Sequence, residues 1–329
     1  YCIVSGCEVV SELNDTVQDA LSIAADADLA VICSATTSSE GYDRSSLSVD
    51  QEEYVVNVTK QLTGVRKLSI SIIPGAIVLP WIDHVDAAVA MFIAGEATGT
   101  GLLDVLDGRV TPGGKLPVTF PLEEEDAIQP CEDPMCEYTE GLFAGFPWYE
   151  DKEVAFPFGH GLSYTKFDHE LTSLGSFCGT EVAPPSRPSG PQHPGLRPPG
   201  GRPGGKPGAR PSRPGRPGPG EETLACAQVK ILNSGERKGA EVVQMYLGFP
   251  EGLGEPQKLL RGFKKVHLPA GSSTTVNLEL RAPDISVWSE EDQWHIPEGT
   301  FKIYVGSSSR DIRAEAEFSV SDGQLEFVS

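Results

Sequence analysis

No run of about 18 consecutive apolar residues occurs in the 329-residue sequence, which excludes a single-helix membrane span. Paired CxxC motifs are missing, and none of the six histidines has a second at HxxxH spacing. The common zinc patterns are therefore absent, and neither a metal nor a cofactor is expected. Basic residues are scarce: 26 Lys and Arg stand against 47 Asp and Glu, for a formal net charge of −21. Residues 184–220 hold seven of the cations and no acid, so the rest of the chain carries −28. A body that acidic repels polyanions and argues against nucleic acid as a partner. It suits a soluble, extracellular protein with a neutral or small ligand. The opening residues, "YCIVSGCEVV", have no basic segment ahead of an apolar one, so they are not a signal peptide and read as the middle of a domain.

What is present is enough for a core, with 39% hydrophobic residues in a chain long enough for about two domains. The cysteines are Cys2, Cys7, Cys33, Cys131, Cys136, Cys178 and Cys226. Cys131 and Cys136 bracket a short loop, and Cys178 and Cys226 bracket the basic stretch. Both pairs are placed like loop staples, which would imply an oxidising compartment; the alternative is free thiols. Asn14-Asp-Thr and Asn57-Val-Thr are acceptor triplets for N-glycosylation.

Residues 15–110 alternate helical and strand patterns. "DTVQDALSIAADA" and "VDQEEYVVNVTKQL" have helical apolar spacing, whereas "DLAVICSA", "RKLSISII" and "DAAVAMFIA" are apolar runs of strand length. "GEATGTGLLDVLDG" predicts a further helix ended by Gly108. Apolar strands separated by helices imply a mostly parallel sheet with helices on both faces, in which ligands meet the loops at the carboxyl ends of the strands. From about residue 160 the pattern becomes short alternating strands: "LSYTKFDHELTSL", "ACAQVKILNSG", "AEVVQMYLGF", "QKLLRGFKKVHL", "STTVNLEL" and "GTFKIYVGSS". That is the pattern of an all-β sandwich. The expected domains are residues 1–155 and 156–325. A Pro/Gly/Arg-rich insert at about 180–221 interrupts the second, with thirteen prolines and ten glycines within residues 184–220. Its composition cannot offset the entropy of ordering, so the sequence predicts disorder there. The insert is either a tolerated loop or a cationic tether for acidic polymers or anionic surfaces.

Several stretches together resemble glycoside hydrolase family 3, the β-glucosidase and β-xylosidase family. They are "SSEGYDRSSLSVDQ", "GEATGTGLLDVLDGRVTPGGKLPVTFP", "YTEGLFAGFPWYE", "FPFGHGLSYTKF", "GAEVVQMYLG" and "LLRGFKKVHLPAGSS". The resemblance implies an α/β sandwich domain followed by a fibronectin type III-like sandwich. It also implies that an N-terminal (β/α)8 barrel, bearing the aspartate nucleophile, is missing from this chain and would join it in cis or in trans. The function it implies is the C-terminal part of a retaining exo-β-glycosidase, most simply a β-glucosidase acting on oligosaccharides or on aryl and alkyl β-glycosides. Such a chain would be inactive alone, and would be secreted with a signal peptide upstream. The alternatives are a non-catalytic carbohydrate-binding or scaffold module, and a β-xylosidase or N-acetylglucosaminidase of the same family.

Retention needs two carboxyl groups, one attacking the anomeric carbon and one protonating the leaving oxygen. The resemblance assigns the second role to Glu40 and a sugar-facing role to Tyr42. Asp43 and Arg44 are expected to pair and shape the loop. Other residues that could line a site have simpler roles available. Trp81, Trp148 and Tyr149 are expected to pack. Trp288 and Trp294 flank an acidic turn and are also expected to pack in the core, the alternative being an aromatic platform for a sugar. Asp83 is a candidate beside Trp81. Glu96 suits a helix N-terminus, His160 a turn hydrogen bond, and Lys115 a salt bridge or a snorkelled position.

Overall fold

The computed structural model describes residues 16–42, 44–130, 135, 137–181 and 222–327. The expectations resting on Asn14, Asp43, the Cys131–Cys136 pair and the basic insert from residue 182 onward lie outside the described residues. The chain divides into two compact units. Residues 1–163, 255–257 and 307–311 form the first, and residues 164–254, 258–306 and 312–329 the second.

The first unit opens with helix α1 (Val17–Ala24), entered at Thr16, whose hydroxyl accepts the Asp19 amide at 3.4 Å as an N-cap. Strand β1 (Leu29–Ala35), helix α2 (Glu52–Gln61), strand β2 (Arg66–Ile73), strand β3 (Ala87–Phe92) and helix α3 (Thr98–Leu106) follow. The strands pair in parallel in the order β1-β2-β3. Parallel neighbours need a crossover, and α2 supplies the one from β1 to β2. Ile32 and Ile73 of the sheet meet Val55 and Val58 of α2, and Val17 and Ala20 of α1 pack on the same cluster. Trp81 lies in this core with no exposed surface, and its Nε1 donates to Ser69 Oγ at 2.9 Å. Thr59 is equally buried, its hydroxyl donating to the Val55 carbonyl at 2.8 Å. The Asn57-Val-Thr triplet therefore sits in the middle of a helix and not in a surface loop.

Two motifs that carried the resemblance run side by side. Strand β4 (Phe120–Pro121) pairs antiparallel with β5 (Val154–Phe156). Just outside that pair, the Leu116 amide donates to the His160 carbonyl and the Gly159 amide to the Leu116 carbonyl, each at 2.8 Å. A Cβ on Gly161 would lie 2.2 Å from the Gly114 carbonyl oxygen, so only glycine fits there. Lys115 Nζ donates to the Gly161 carbonyl at 2.9 Å and to Ser307 Oγ at 2.8 Å. "GGKLP" and "FGHGL" are thus two sides of one structural clasp.

His160 stacks on Phe156 with ring centroids 5.0 Å apart. Burial, and then the Lys115 ammonium, push its pKa below the ordinary histidine value, while Asp311 opposes them. A folded-state pKa below the unfolded one makes the unfolded chain the better proton acceptor. Its stabilisation is therefore complete above about pH 6.5 and is lost as pH falls toward the folded-state value. Wild type should lose more Tm than His160→Gln between pH 7.5 and 5.5; equal losses in thermal melts would contradict it.

Among its described residues, the second unit is all β but for one helical turn. Its strands are β6 (Phe167–Gly175), β7 (Thr223–Asn233), β8 (Gly239–Gly248), β9 (Leu259–Leu268) and β10 (Ser273–Arg281), then α4 (Ala282–Ile285), β11 (Val287–Ser289), β12 (Gln293–His295), β13 (Gly299–Gly306), β14 (Ile312–Ser321) and β15 (Gln324–Phe327). One sheet has the order β10-β7-β6 and the other β15-β14-β13-β8-β9. Val229 and Ile231, Val243 and Met245, and Phe301 and Ile303 are among the residues that fill the core. Phe301 and Phe318 are cross-strand partners whose parallel rings lie 5.0 Å apart. Cys178 and Cys226 are joined by a disulfide. Beside it, Glu181 accepts from the Asn277 amide at 3.0 Å and from Lys264.

The sequence reading stopped short of β14 and β15, although Ile312, Ala314, Ala316, Phe318 and Val320 alternate along β14. It also misjudged Trp288 and Trp294. Core packing was expected for both, yet they are 52% and 62% exposed. The reason is the two-residue period of a strand: Val287 turns inward and is buried, which sends Trp288 outward.

Candidate active site

The loop between β1 and α2 leaves the sheet at the carboxyl end of β1. Its base is tied down on several sides. The Thr36 amide donates to the Ile72 carbonyl at 3.3 Å and the Asp50 amide to the Ala35 carbonyl at 3.0 Å. The Asp50 carboxylate accepts the Thr37 amide at 3.1 Å and also the Thr37 hydroxyl. These hydrogen bonds, aided by the Arg44 charge, hold the Asp50 carboxyl below its ordinary pKa. Arg44 Nη2 donates to the Ala76 carbonyl at 2.9 Å, and the Val78 amide donates to the Leu47 carbonyl at 3.1 Å. Both bonds join the loop to the connection after β2, the next strand end along the same edge. Ser46 Oγ donates to Glu124 at 2.6 Å, and Val49 is buried in the core.

Above this base the tip is free of the core. Ser39 and Tyr42 form an isolated antiparallel bridge, with Glu40 and Gly41 as the turn between them. Gly41 has φ +84°, the left-handed region that favours glycine. Glu40 is exposed, and Tyr42 is 82% exposed. The arrangement presents a carboxyl and a phenol ring at the end of a two-residue turn on an anchored base. The acids that face the loop, Asp50 and Glu124, are engaged by Thr37 and Ser46.

Of the residues singled out in the sequence, Glu40 and Tyr42 come together here, and Arg44 supports them through the Ala76 carbonyl. Trp81 is in the core and Asp83 lies exposed in a single 3-10 turn. Glu96 is exposed just ahead of α3. Trp148 is half-buried, donating to the Asp126 carbonyl at 2.8 Å with the Lys152 ammonium 4.3 Å above its ring. Tyr149, also half-buried, accepts Arg310 Nη2 at its carbonyl at 2.7 Å. The residue that sequence reasoning missed is Asp50. Its place just before α2 suggests an N-cap, but Gln51 occupies that position and Asp50 turns back to the loop.

The two units together are a parallel α/β sandwich domain followed by a fibronectin type III-like sandwich. Residues 4–164 match the glycosyl hydrolase family 3 C-terminal domain, and residues 241–309 match the fibronectin type III-like domain. The chain belongs to glycosyl hydrolase family 3. It is 31% identical over 290 residues to probable beta-glucosidase D of Aspergillus niger, covering 86% of this chain and 35% of that protein. Thermostable beta-glucosidase B of Acetivibrio thermocellus is 30% identical over 314 residues, covering 91% and 36% respectively. Among solved structures, beta-D-glucoside glucohydrolase from Trichoderma reesei superposes with a TM-score of 0.77 at 30% identity, over 93% of this chain and 42% of that one. The chain therefore spans little more than a third of the curated relatives it matches.

Proposed function

We propose that this chain is the acid/base-bearing part of a retaining exo-β-glycosidase that removes terminal β-D-glucosyl residues. The observation that carries the proposal is an exposed Glu40 on the two-residue turn of an anchored loop, at the carboxyl edge of a parallel sheet. Relatives named beta-glucosidases supply the substrate class. In the proposed reaction Glu40 gives its proton to the leaving glycosidic oxygen as an aspartate attacks the anomeric carbon. Glu40 then takes a proton from the water that releases the sugar. The two carboxyl groups must stand about 5–5.5 Å apart, and the family resemblance assigns the aspartate to a (β/α)8 barrel joined to this chain in cis or in trans. Tyr42, next to the acid and largely exposed, stacks on the leaving-group sugar. The Cys178–Cys226 disulfide supports a secreted, oxidised setting.

The test compares the chain alone with the chain joined to the barrel domain of a relative, using p-nitrophenyl β-glucoside. No turnover is expected alone, and turnover with retained anomeric configuration is expected when joined. Turnover without a barrel, or an inverted product, would overturn the proposal. Binding without turnover in the joined protein would favour a non-catalytic carbohydrate module. A strong preference for the β-xyloside would replace the sugar assignment.

A further inference from the structure

The β11–β12 hairpin presents two tryptophans to solvent. Trp288 and Trp294 are directly opposed cross-strand partners, so both indoles stand on the same face, 52% and 62% exposed. Directly opposed Cβ atoms lie about 4.5–5.5 Å apart, a spacing that lets neighbouring rings form one continuous apolar strip. Isolated exposed apolar residues are ordinary, but a paired, outward aromatic strip on a rigid support marks a contact surface.

The support is well fixed. On the other face of the hairpin Val287 is buried, and Ile285 just before it is buried in the sandwich core. The turn closes on itself: the Asp292 amide donates to Ser289 Oγ at 3.0 Å, and Gln293 Nε2 donates to the Glu290 carbonyl at 3.2 Å. Gln293 sits at φ +59°, in the left-handed region that a residue other than glycine enters at a cost. That conformation sets the three-residue turn 290–292 and hence the register that places the indoles opposite one another. A platform fixed in advance loses little freedom on binding.

The rim selects the partner. Glu290, Glu291 and Asp292 crowd the turn, and the chain as a whole is strongly acidic. Anionic polymers and anionic surfaces are disfavoured by charge. Carboxylates beside a flat aromatic face instead suit a neutral ligand with many hydroxyl donors and an apolar ring face. A β-linked glucan chain has both, because its equatorial hydroxyls point outward around the C–H faces of its pyranose rings. We propose that Trp288 and Trp294 form a glycan-binding platform on the fibronectin-like unit, each indole stacking on one pyranose of a β-glucan chain. The choice of a glucan rests on the substrate class proposed above, whereas the platform itself needs neither Glu40 nor the barrel.

Electrophoresis of the full chain through native gels with and without hydroxyethyl cellulose tests this, with cellotetraose titrated by Trp fluorescence. Wild type and Glu40→Gln should be retarded alike. Trp288→Ala and Trp294→Ala should each weaken binding about tenfold, and the double variant should migrate as in a plain gel. Trp288→Tyr and Trp294→Tyr should keep most of the retardation, since a phenol ring still stacks. Near-UV circular dichroism should show folded variants, because both side chains face outward. Retention of the double Ala variant, or no retardation of wild type, would overturn the platform. So would a concentration-dependent dimer in sedimentation that only the double variant lacks, since the indoles would then cover a second copy. A platform without activity in the joined enzyme would leave this inference standing while the glycosidase reading fell.

Discussion

Glu40→Gln should lower turnover of cellobiose about 10²–10⁴-fold in an enzyme that joins this chain to a barrel domain. The amide keeps the size and polarity of the carboxyl but can neither give nor take the proton. Cellobiose has a poor leaving group, so bond cleavage without protonation carries the whole penalty, about 2.7–5.5 kcal/mol at the transition state. An aryl glucoside with an acidic phenol leaves without help and should lose far less in its first step. Its glycosyl-enzyme intermediate should then accumulate, because water lacks a base. Azide needs no base, so adding it should restore release and yield the β-glucosyl azide. Wild-type hydrolysis of cellobiose by the variant would remove Glu40 from the reaction.

Trp81→Ala should be the most damaging single change to the α/β unit. The indole is wholly buried among Ile32, Ile73, Ile77 and Phe120, and its Nε1 holds Ser69 Oγ. Removing so large a side chain costs about 3–5 kcal/mol through lost transfer and the cavity left behind. That is a large share of the roughly 5–15 kcal/mol that stabilises a folded domain. Trp81→Phe should recover much of the packing, yet leave the buried Ser69 hydroxyl without its donor at a cost of about 1–3 kcal/mol. Urea midpoints of the chain read both values. A loss below about 1 kcal/mol for Trp81→Ala would mean that the core closes over the gap.

How far the fold was legible depended on the length and periodicity of each segment. "RKLSISII" stands in the structure as Arg66–Ile73, because an apolar run bounded by turn residues allows little but a buried strand. The α2 helix followed from Tyr54, Val55, Val58 and Leu62, of which Val55, Val58 and Leu62 are buried. "VWSEEDQWH" reads as two tryptophans flanking an acidic turn, but so short a segment does not by itself say which face each indole takes, and core packing is the commoner fate of a tryptophan. The alternation that begins at the buried Val287 would have sent them outward. At the candidate site, Glu40 and Tyr42 lie two residues apart in the motif that carries the family resemblance and could be read together. The anchors are long-range: Arg44 reaches Ala76, and Ser46 reaches Glu124. No local pattern encodes such contacts, because they exist only once the strand ends have been gathered along one edge.

The disulfide at the base of the basic insert has a consequence for how this chain varies. Gly175 pairs with Cys226 across neighbouring antiparallel strands, and Cys178 is bonded to Cys226, so a covalent cross-link falls beside the last residue pair of the β6–β7 ladder. Glu181 and Gly179 tie the chain just after that cross-link to Asn277 of β10. Replacing residues 182–221 by another sequence should therefore leave the register of β6 on β7 as it is, because that register is held from within the described strands and by the disulfide.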